Sequence, residues 1–157
     1  MTTEDQQSLI TRTLETCLSL ARDADVFEEM TIQSDSDAHR LVAVARGAAA
    51  EALYCLESRN GSWHVMMSTK DHWLSESIEA EVMHHGDSLE ELIEEELIDL
   101  GLDDVEVRMQ HYRDDDFRYV FKSPITTGAT DTVIATWLLG YEAAFKQLGD
   151  MTEDQED

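Results

Sequence analysis

The sequence predicts a single α+β domain, in which an antiparallel sheet of about five strands packs in two layers with three or four helices. Segments near both ends and in the middle of the chain carry apolar residues at helical spacing. Between them, short runs alternate apolar and polar residues and are joined by turn residues, which is typical of antiparallel strands. With 157 residues and 42% apolar content, the chain is long enough for one packed core.

The first element is predicted to be a helix over residues 4–24. Its narrow apolar stripe has helical spacing: Ile10, Leu14, Cys17, Leu18 and Ala21. Glu4 and Asp5 suit the positive end of the helix dipole. Such a narrow stripe is stable only against a partner surface, so we expect this helix to pack on the rest of the domain.

Residues 25–50 are compatible with two structures. Residues 26–33 fit a strand or a frayed helix end, and the cluster at 34–37 marks a turn or a helix start. Beyond it, the spacing of apolar residues favours a helix that ends near Gly47 or Ala50. Val42 and Val44 fit a strand nearly as well.

Residues 52–69 are predicted to form a β-hairpin, because Asn60-Gly61 is a strong signal for a tight turn. The returning strand alternates Trp63, Val65 and Met67 with His64, Met66 and Ser68. A further strand is predicted over residues 76–83, where apolar residues alternate with glutamates.

The second half of the chain predicts a helix, a hairpin and a last helix. Residues 88–100 form a helix with a capping box at Ser88 and Glu91, and Gly101 suits its C-terminal end. Residues 105–123 form the second hairpin, and residues 131–148 form a helix with a broad aromatic stripe. The domain is expected to span residues 1–149, followed by a disordered acidic tail over 150–157.

This order of elements, with small size and acidic character, resembles the class I type III secretion chaperone fold over residues 4–148. The resemblance implies a homodimer whose apolar patches hold an extended segment of another protein. It also implies that the protomers pair through the helix that contains Leu89 and Leu100, or through the last strands. The segment 25–50 departs from the family's simpler order.

The formal net charge of −24 is the strongest compositional feature, with 11 basic and 35 acidic residues. It disfavours binding to nucleic acid or to an anionic membrane, because phosphates need a basic patch. Adaptation to high salt, binding of protein partners and an acidity without functional meaning remain open as explanations. Neither a membrane-spanning apolar run nor a signal peptide is visible, so we expect a soluble, cytoplasmic protein.

Catalytic and metal-binding signatures are weak. Cys17 and Cys55 lack metal or redox spacing and are expected to be reduced and buried. A metal site could form only if the strands bring His64, His72 and His84 together with Asp87. Because no nucleophile, phosphate-loop or dinucleotide motif is present, we predict no enzymatic activity and no cofactor.

The sequence therefore predicts a protein-binding, chaperone-like module that holds a partner segment on an apolar patch or a sheet edge. The candidate contact residues are Trp73, Leu89, Leu92 and Ile93. Trp73 lies in a polar stretch, which favours an exposed aromatic contact. The alternatives are a salt-adapted acidic protein without such a role and a metal-dependent enzyme built on histidine and aspartate.

Overall fold

A computed structural model shows an α+β fold with three helices and a six-stranded antiparallel sheet among the residues that it describes. Those residues are 3–34, 38–45, 53–59, 62–70, 89–102, 106–113, 118–125 and 129–146. The helices are α1 (Thr3–Ala24), α2 (Leu89–Asp99) and α3 (Asp131–Lys146). The strands are β1 (Phe27–Ser34), β2 (Ala38–Ala45), β3 (Leu53–Arg59), β4 (Ser62–Thr69), β5 (Gln110–Arg113) and β6 (Tyr119–Pro124). The predicted strand 76–83 and the predicted tail 150–157 lie outside the described residues.

The sheet has the strand order β1-β2-β3-β4-β6-β5, and all neighbours are antiparallel. The predicted hairpin 52–69 is confirmed: β3 and β4 pair from Leu53 with Ser68 to Arg59 with Ser62. Its register is that of a two-residue connection, which the Asn-Gly pair indicates. The sheet has six strands instead of about five because residues 27–45 contribute two of them.

The helix predicted after residue 37 is wrong, since residues 38–45 form strand β2 between β1 and β3. The burial of the strand alternates: Leu41 and Ala43 are wholly buried, whereas Val42 and Val44 are only partly buried. Alanine fits the spacing of apolar residues in a helix as well as in a strand, so Ala38, Ala43 and Ala45 do not distinguish the two structures. The two β-branched valines were the correct signal.

The hydrophobic core lies between the helices and one side of the sheet, which gives two layers. Helix α3 is central: it contacts α1 and α2 and rests on β3 and β4. Its predicted aromatic stripe is buried, with Trp137, Tyr141 and Phe145 at 1% exposure or less. The Phe145 ring lies 5.1 Å from that of Phe121 in β6, which fixes the helix on the sheet.

Helix ends follow the capping signals of the sequence. The Thr130 hydroxyl accepts a hydrogen bond from the Val133 backbone N–H at 3.3 Å, so Thr130 caps α3. Gly101 has a φ of 106°, in the left-handed region that favours glycine. The N–H groups of Gly101 and Leu102 return to the carbonyls of Ile98 and Leu97, a Schellman motif that closes α2.

The second hairpin is shorter than the predicted 105–123, because β5 begins only at Gln110. Before it, the Val107 N–H donates to the Glu94 carboxylate of α2 at 3.2 Å instead of to a neighbouring strand. Val107 is 5% exposed and belongs to the core. None of the described helices is both long and apolar enough to cross a membrane.

Candidate functional site

The two sides of the sheet differ in their surroundings. One side carries the core residues of β2, β3, β4 and β6, which pack with the helices. Since side chains alternate along a strand, the register places a second set on the opposite side. We call this side the outer face; its apolar residues are Val42, Val44, Leu53, Cys55, Met66 and Val120. None of these six belongs to the core cluster, and all except Val120 are partly exposed.

A row of charged residues crosses the outer face beside its apolar part. The register aligns Arg40 of β2 with Glu57 of β3, and Glu57 with His64 of β4. Arg40 Nε lies 3.0 Å from Oε2 of Glu57, and an Arg59 nitrogen lies 3.5 Å from the same oxygen. The Glu57 side chain is only 7% exposed, so the two guanidinium groups offset the desolvation of its carboxylate.

His64 completes this row and is held as the neutral imidazole. Burial lowers its pKa below the ordinary 6.5; Lys122 lowers it further, and Glu57 opposes both effects. Its Nδ1 atom is buried and has no hydrogen-bond partner among the described residues. A neutral imidazole nitrogen can donate or accept a hydrogen bond according to its tautomer, so the buried Nδ1 of His64 has unmet hydrogen-bonding capacity in the described part of the chain.

Cys55 lies in the middle of the outer face, next to Val42 and Met66 in the register. Burial raises the pKa of its thiol to about 12, and Glu57 adds to the effect. The thiol therefore stays protonated at neutral pH and contributes as a small apolar group. Cys17 is wholly buried in α1, and the pKa of its thiol is also raised to about 12 by burial. Both cysteines are free, as predicted.

The structure separates the residues that the sequence proposed for binding. Leu89 and Ile93 are core residues with 8% and 0% exposure, and Leu92 is partly buried against the core. When a helix has a single apolar face, that face packs into the hydrophobic core of the domain. In this fold these positions are therefore not a surface for a partner. At the end of this helix, Ile98 is 54% exposed, and Leu100, which follows the helix, is 46% exposed. Trp73 lies outside the described residues.

The four residues named as a conditional metal site lie mostly outside the described part of the chain. His64 lies on the outer face, whereas His72, His84 and Asp87 are outside the described residues. Among the residues described, no three of the types that bind metals come together. Sequence reasoning missed the Glu57–His64 pairing, although the two-residue turn that it predicted already implies this register.

An open groove of about 700 Å³ lies between the first half of α1 and the ends of β1 and β2. Its polar lining includes Arg12, Glu15, Ser34 and His39. His39 Nδ1 and Ser34 Oγ form a hydrogen bond at 2.8 Å. A serine nucleophile needs a base that a third group orients, and no third group among the described residues bonds the His39 ring. The groove therefore provides polar contacts without a catalytic arrangement in this part of the chain.

Comparison with known proteins gives no relative from which a function could be transferred. No family model matches the chain, no curated protein matches it, and no solved structure matches it.

Proposed function

We propose that the protein is a non-enzymatic binding module that holds an extended apolar segment of a partner protein on the outer face of its sheet. The observation that carries this proposal is the position of five partly exposed apolar side chains on the side of the sheet opposite the core: Val42, Val44, Leu53, Cys55 and Met66. Burial of apolar area is the main favourable contribution to most protein association. The role is the chaperone-like one expected from the sequence, at a different location.

The outer face suits an apolar segment better than the two sheet edges do. Strand β1 is the edge next to β2, and it carries Glu28 and Glu29 at a bulge, a device that opposes the addition of a further strand. The other edge, β5, has only four residues. A partner strand would therefore find few regular backbone contacts at either edge, whereas the outer face extends over β2, β3 and β4.

A homodimer is part of the proposal and involves a different surface. Ile98 and Leu100, exposed at the end of α2, are apolar residues that a second protomer could cover. Size-exclusion chromatography with light scattering tests this point. A wild-type dimer that becomes a monomer on Ile98→Ser supports it, whereas a wild-type monomer contradicts the dimer and leaves the binding of a partner segment unaffected.

The binding function is tested with three fluorescent peptides of eight residues, the length of strand β1. All share one central sequence that alternates valine and serine, and their flanks carry serine, glutamate or lysine. We expect at least one peptide to bind, measured by fluorescence anisotropy. Leu53→Ser should weaken that binding about tenfold, since burial of one leucine contributes about 1.5–3 kcal/mol.

Leu9→Ser is the matched control, because Leu9 is 44% exposed on α1 and is not part of the outer face. It should leave peptide binding unchanged. Circular dichroism confirms that both variants are folded. The proposal fails if none of the three peptides binds the wild-type protein, or if Leu9→Ser and Leu53→Ser have the same effect.

A further inference from the structure

Among the described residues, the paired strands place more basic than acidic side chains on the outer face, opposite to the charge of the whole protein. In the register, Arg40, Arg59 and Lys122 lie on this side, and Arg118 joins them because its guanidinium bonds Ser68 of β4. Among the described residues paired in the register, the carboxylates on this side are those of Glu29 and Glu57. Four basic residues thus face two acidic ones, although the chain has 11 basic and 35 acidic residues.

The basic residues lie around the apolar residues instead of among them. Arg40 and Arg59 lie at one end of the outer face, where β3 pairs with residues 62–64 of β4. Arg118 lies at the other end, beyond Ser68. Lys122 lies at the side, paired with Met66. Along β4 the two ends are six residues apart, from Ser62 to Ser68. At roughly 3.3 Å per residue, this separation is about 20 Å.

Two of these cations have the capacity to bind a further carboxylate. A guanidinium carries five N–H donors, and the contact of Arg59 with Glu57 is a single one at 3.5 Å. The Arg59 side chain is 41% exposed, so an incoming carboxylate can reach it. The ammonium of Lys122 is a compact charge with three donors, and its side chain is partly exposed.

We propose that the outer face selects a partner segment whose apolar centre is flanked on both sides by acidic residues. This inference rests on the proposed function and specifies the chemistry of the partner. The apolar centre covers the residues of β2, β3 and β4, and the flanking carboxylates meet Arg59 at one end and Lys122 at the side. Contacts of this kind add selectivity between partners more than they add affinity.

The large negative charge of the chain repels an acidic partner, but salt screens this repulsion for charges that lie far from the outer face. At physiological ionic strength the screening length is about 8 Å, so carboxylates on the far side of the domain contribute little at the outer face. A partner bound at the outer face lies within this screening length of the charged side chains there. Contacts at the outer face therefore depend on the groups that lie there rather than on the net charge of −24, and the described groups among them are four cations and two carboxylates.

The same three peptides test the inference at physiological ionic strength. We expect the glutamate-flanked peptide to bind about tenfold tighter than the lysine-flanked one, with the serine-flanked peptide between them. Arg59→Gln should weaken binding of the glutamate-flanked peptide severalfold and leave the serine-flanked peptide unchanged. Arg22→Gln is the matched control, because Arg22 is exposed in the last turn of α1, which packs on the core side of the sheet.

The outcomes separate the inference from the function. If the three peptides bind equally, or the lysine-flanked peptide binds best, the acidic preference is wrong and the binding function stands. If no peptide binds, the function fails and the inference fails with it. A single-stranded oligonucleotide that displaces the glutamate-flanked peptide and binds more tightly would overturn the assignment to a protein partner.

Discussion

Arg40 and Glu57 form an ion pair across β2 and β3, with 3.0 Å between Arg40 Nε and Oε2 of Glu57. The carboxylate is 7% exposed and the arginine 26%, so the pair is partly desolvated. Arg59 approaches the same oxygen at 3.5 Å. A nearly buried carboxylate is tolerated when cations and hydrogen bonds replace its water, and the two arginines supply both.

The first prediction concerns the stability that this contact provides. Glu57→Gln removes the charge with little change of shape and leaves Arg40 without its carboxylate at a partly buried position. We expect the free energy of unfolding to fall by about 1–2 kcal/mol, between the values for exposed and for buried ion pairs. Urea denaturation of the wild-type protein and the variant measures it.

Glu106→Gln is the control for this change, because Glu106 pairs with Arg108 at 3.3 Å and both side chains are at least 75% exposed. Its effect should stay within about 0.5 kcal/mol. Equal effects of the two substitutions would show that the outer-face pair behaves as an ordinary surface ion pair.

The second prediction concerns the contact between α2 and α3. A Cβ atom at Gly140 would lie 2.5 Å from Cδ2 of Leu97 and 3.2 Å from its Cγ, and Leu97 is wholly buried. Gly140→Ala therefore forces the two helices apart, although alanine favours the helix by about 1 kcal/mol. We expect a net loss of about 1–2 kcal/mol in thermal or urea unfolding.

A double-mutant cycle distinguishes the clash from any other effect of Gly140→Ala. In a Leu97→Ala background the clashing atoms are gone and the helix preference remains, so Gly140→Ala should become neutral or stabilising. A loss of the same size in both backgrounds would contradict the steric explanation.

Local signals predicted the helices well because spacing and end signals agreed. In α2, Leu89, Ile93 and Leu97 are buried as their spacing predicts, and Gly101 ends the helix with the φ that it favours. Leu100 follows the end of α2 and is 46% exposed, so the buried stripe of the helix ends at Leu97. Strand β2 was not predicted, because its alanines fit the spacing of apolar residues in a helix as well as in a strand. Its stability also depends on pairing with β1 and β3.

The candidate site was only partly predictable, because its residues meet through pairing between distant segments. The Asn-Gly turn implies that Glu57 pairs with His64, since the hairpin length sets the register. Lys122 comes next to Met66 only through the pairing of β4 with β6, which no local pattern indicates. Leu89 and Ile93 were chosen for their apolarity alone, and that property also suits the core where they lie.

The third prediction concerns a buried hydrogen bond between β6 and α3. Ser123 Oγ and the Tyr141 hydroxyl bond each other, and both side chains are wholly buried. Tyr141→Phe leaves the Ser123 hydroxyl without this partner, so we expect a loss of about 1–3 kcal/mol. Ser123→Ala combined with Tyr141→Phe removes both polar groups and should be less destabilising than Tyr141→Phe alone. Unfolding by urea tests this order, and the reverse order would contradict it.

The fourth prediction concerns acid sensitivity. Burial and the nearby Lys122 lower the pKa of His64 below 6.5, while Glu57 opposes them. As pH falls through 6.5, the unfolded chain takes up this proton before the folded protein does, so the folded state loses stability. The loss ends once pH falls below the pKa of the folded protein. Between about pH 8 and about pH 5, the wild-type protein should therefore lose more stability than His64→Gln.

The comparison of these two proteins isolates the histidine, because the titration of the carboxylates is common to both and cancels in the difference. The imidazole signal of His64 in an NMR titration gives an independent reading, with a midpoint below 6.5. Lys122→Gln should move that midpoint upward, since it removes one of the two causes of the lowered pKa. A midpoint at or above 6.5 in the wild-type protein would mean that His64 is solvated or paired in solution.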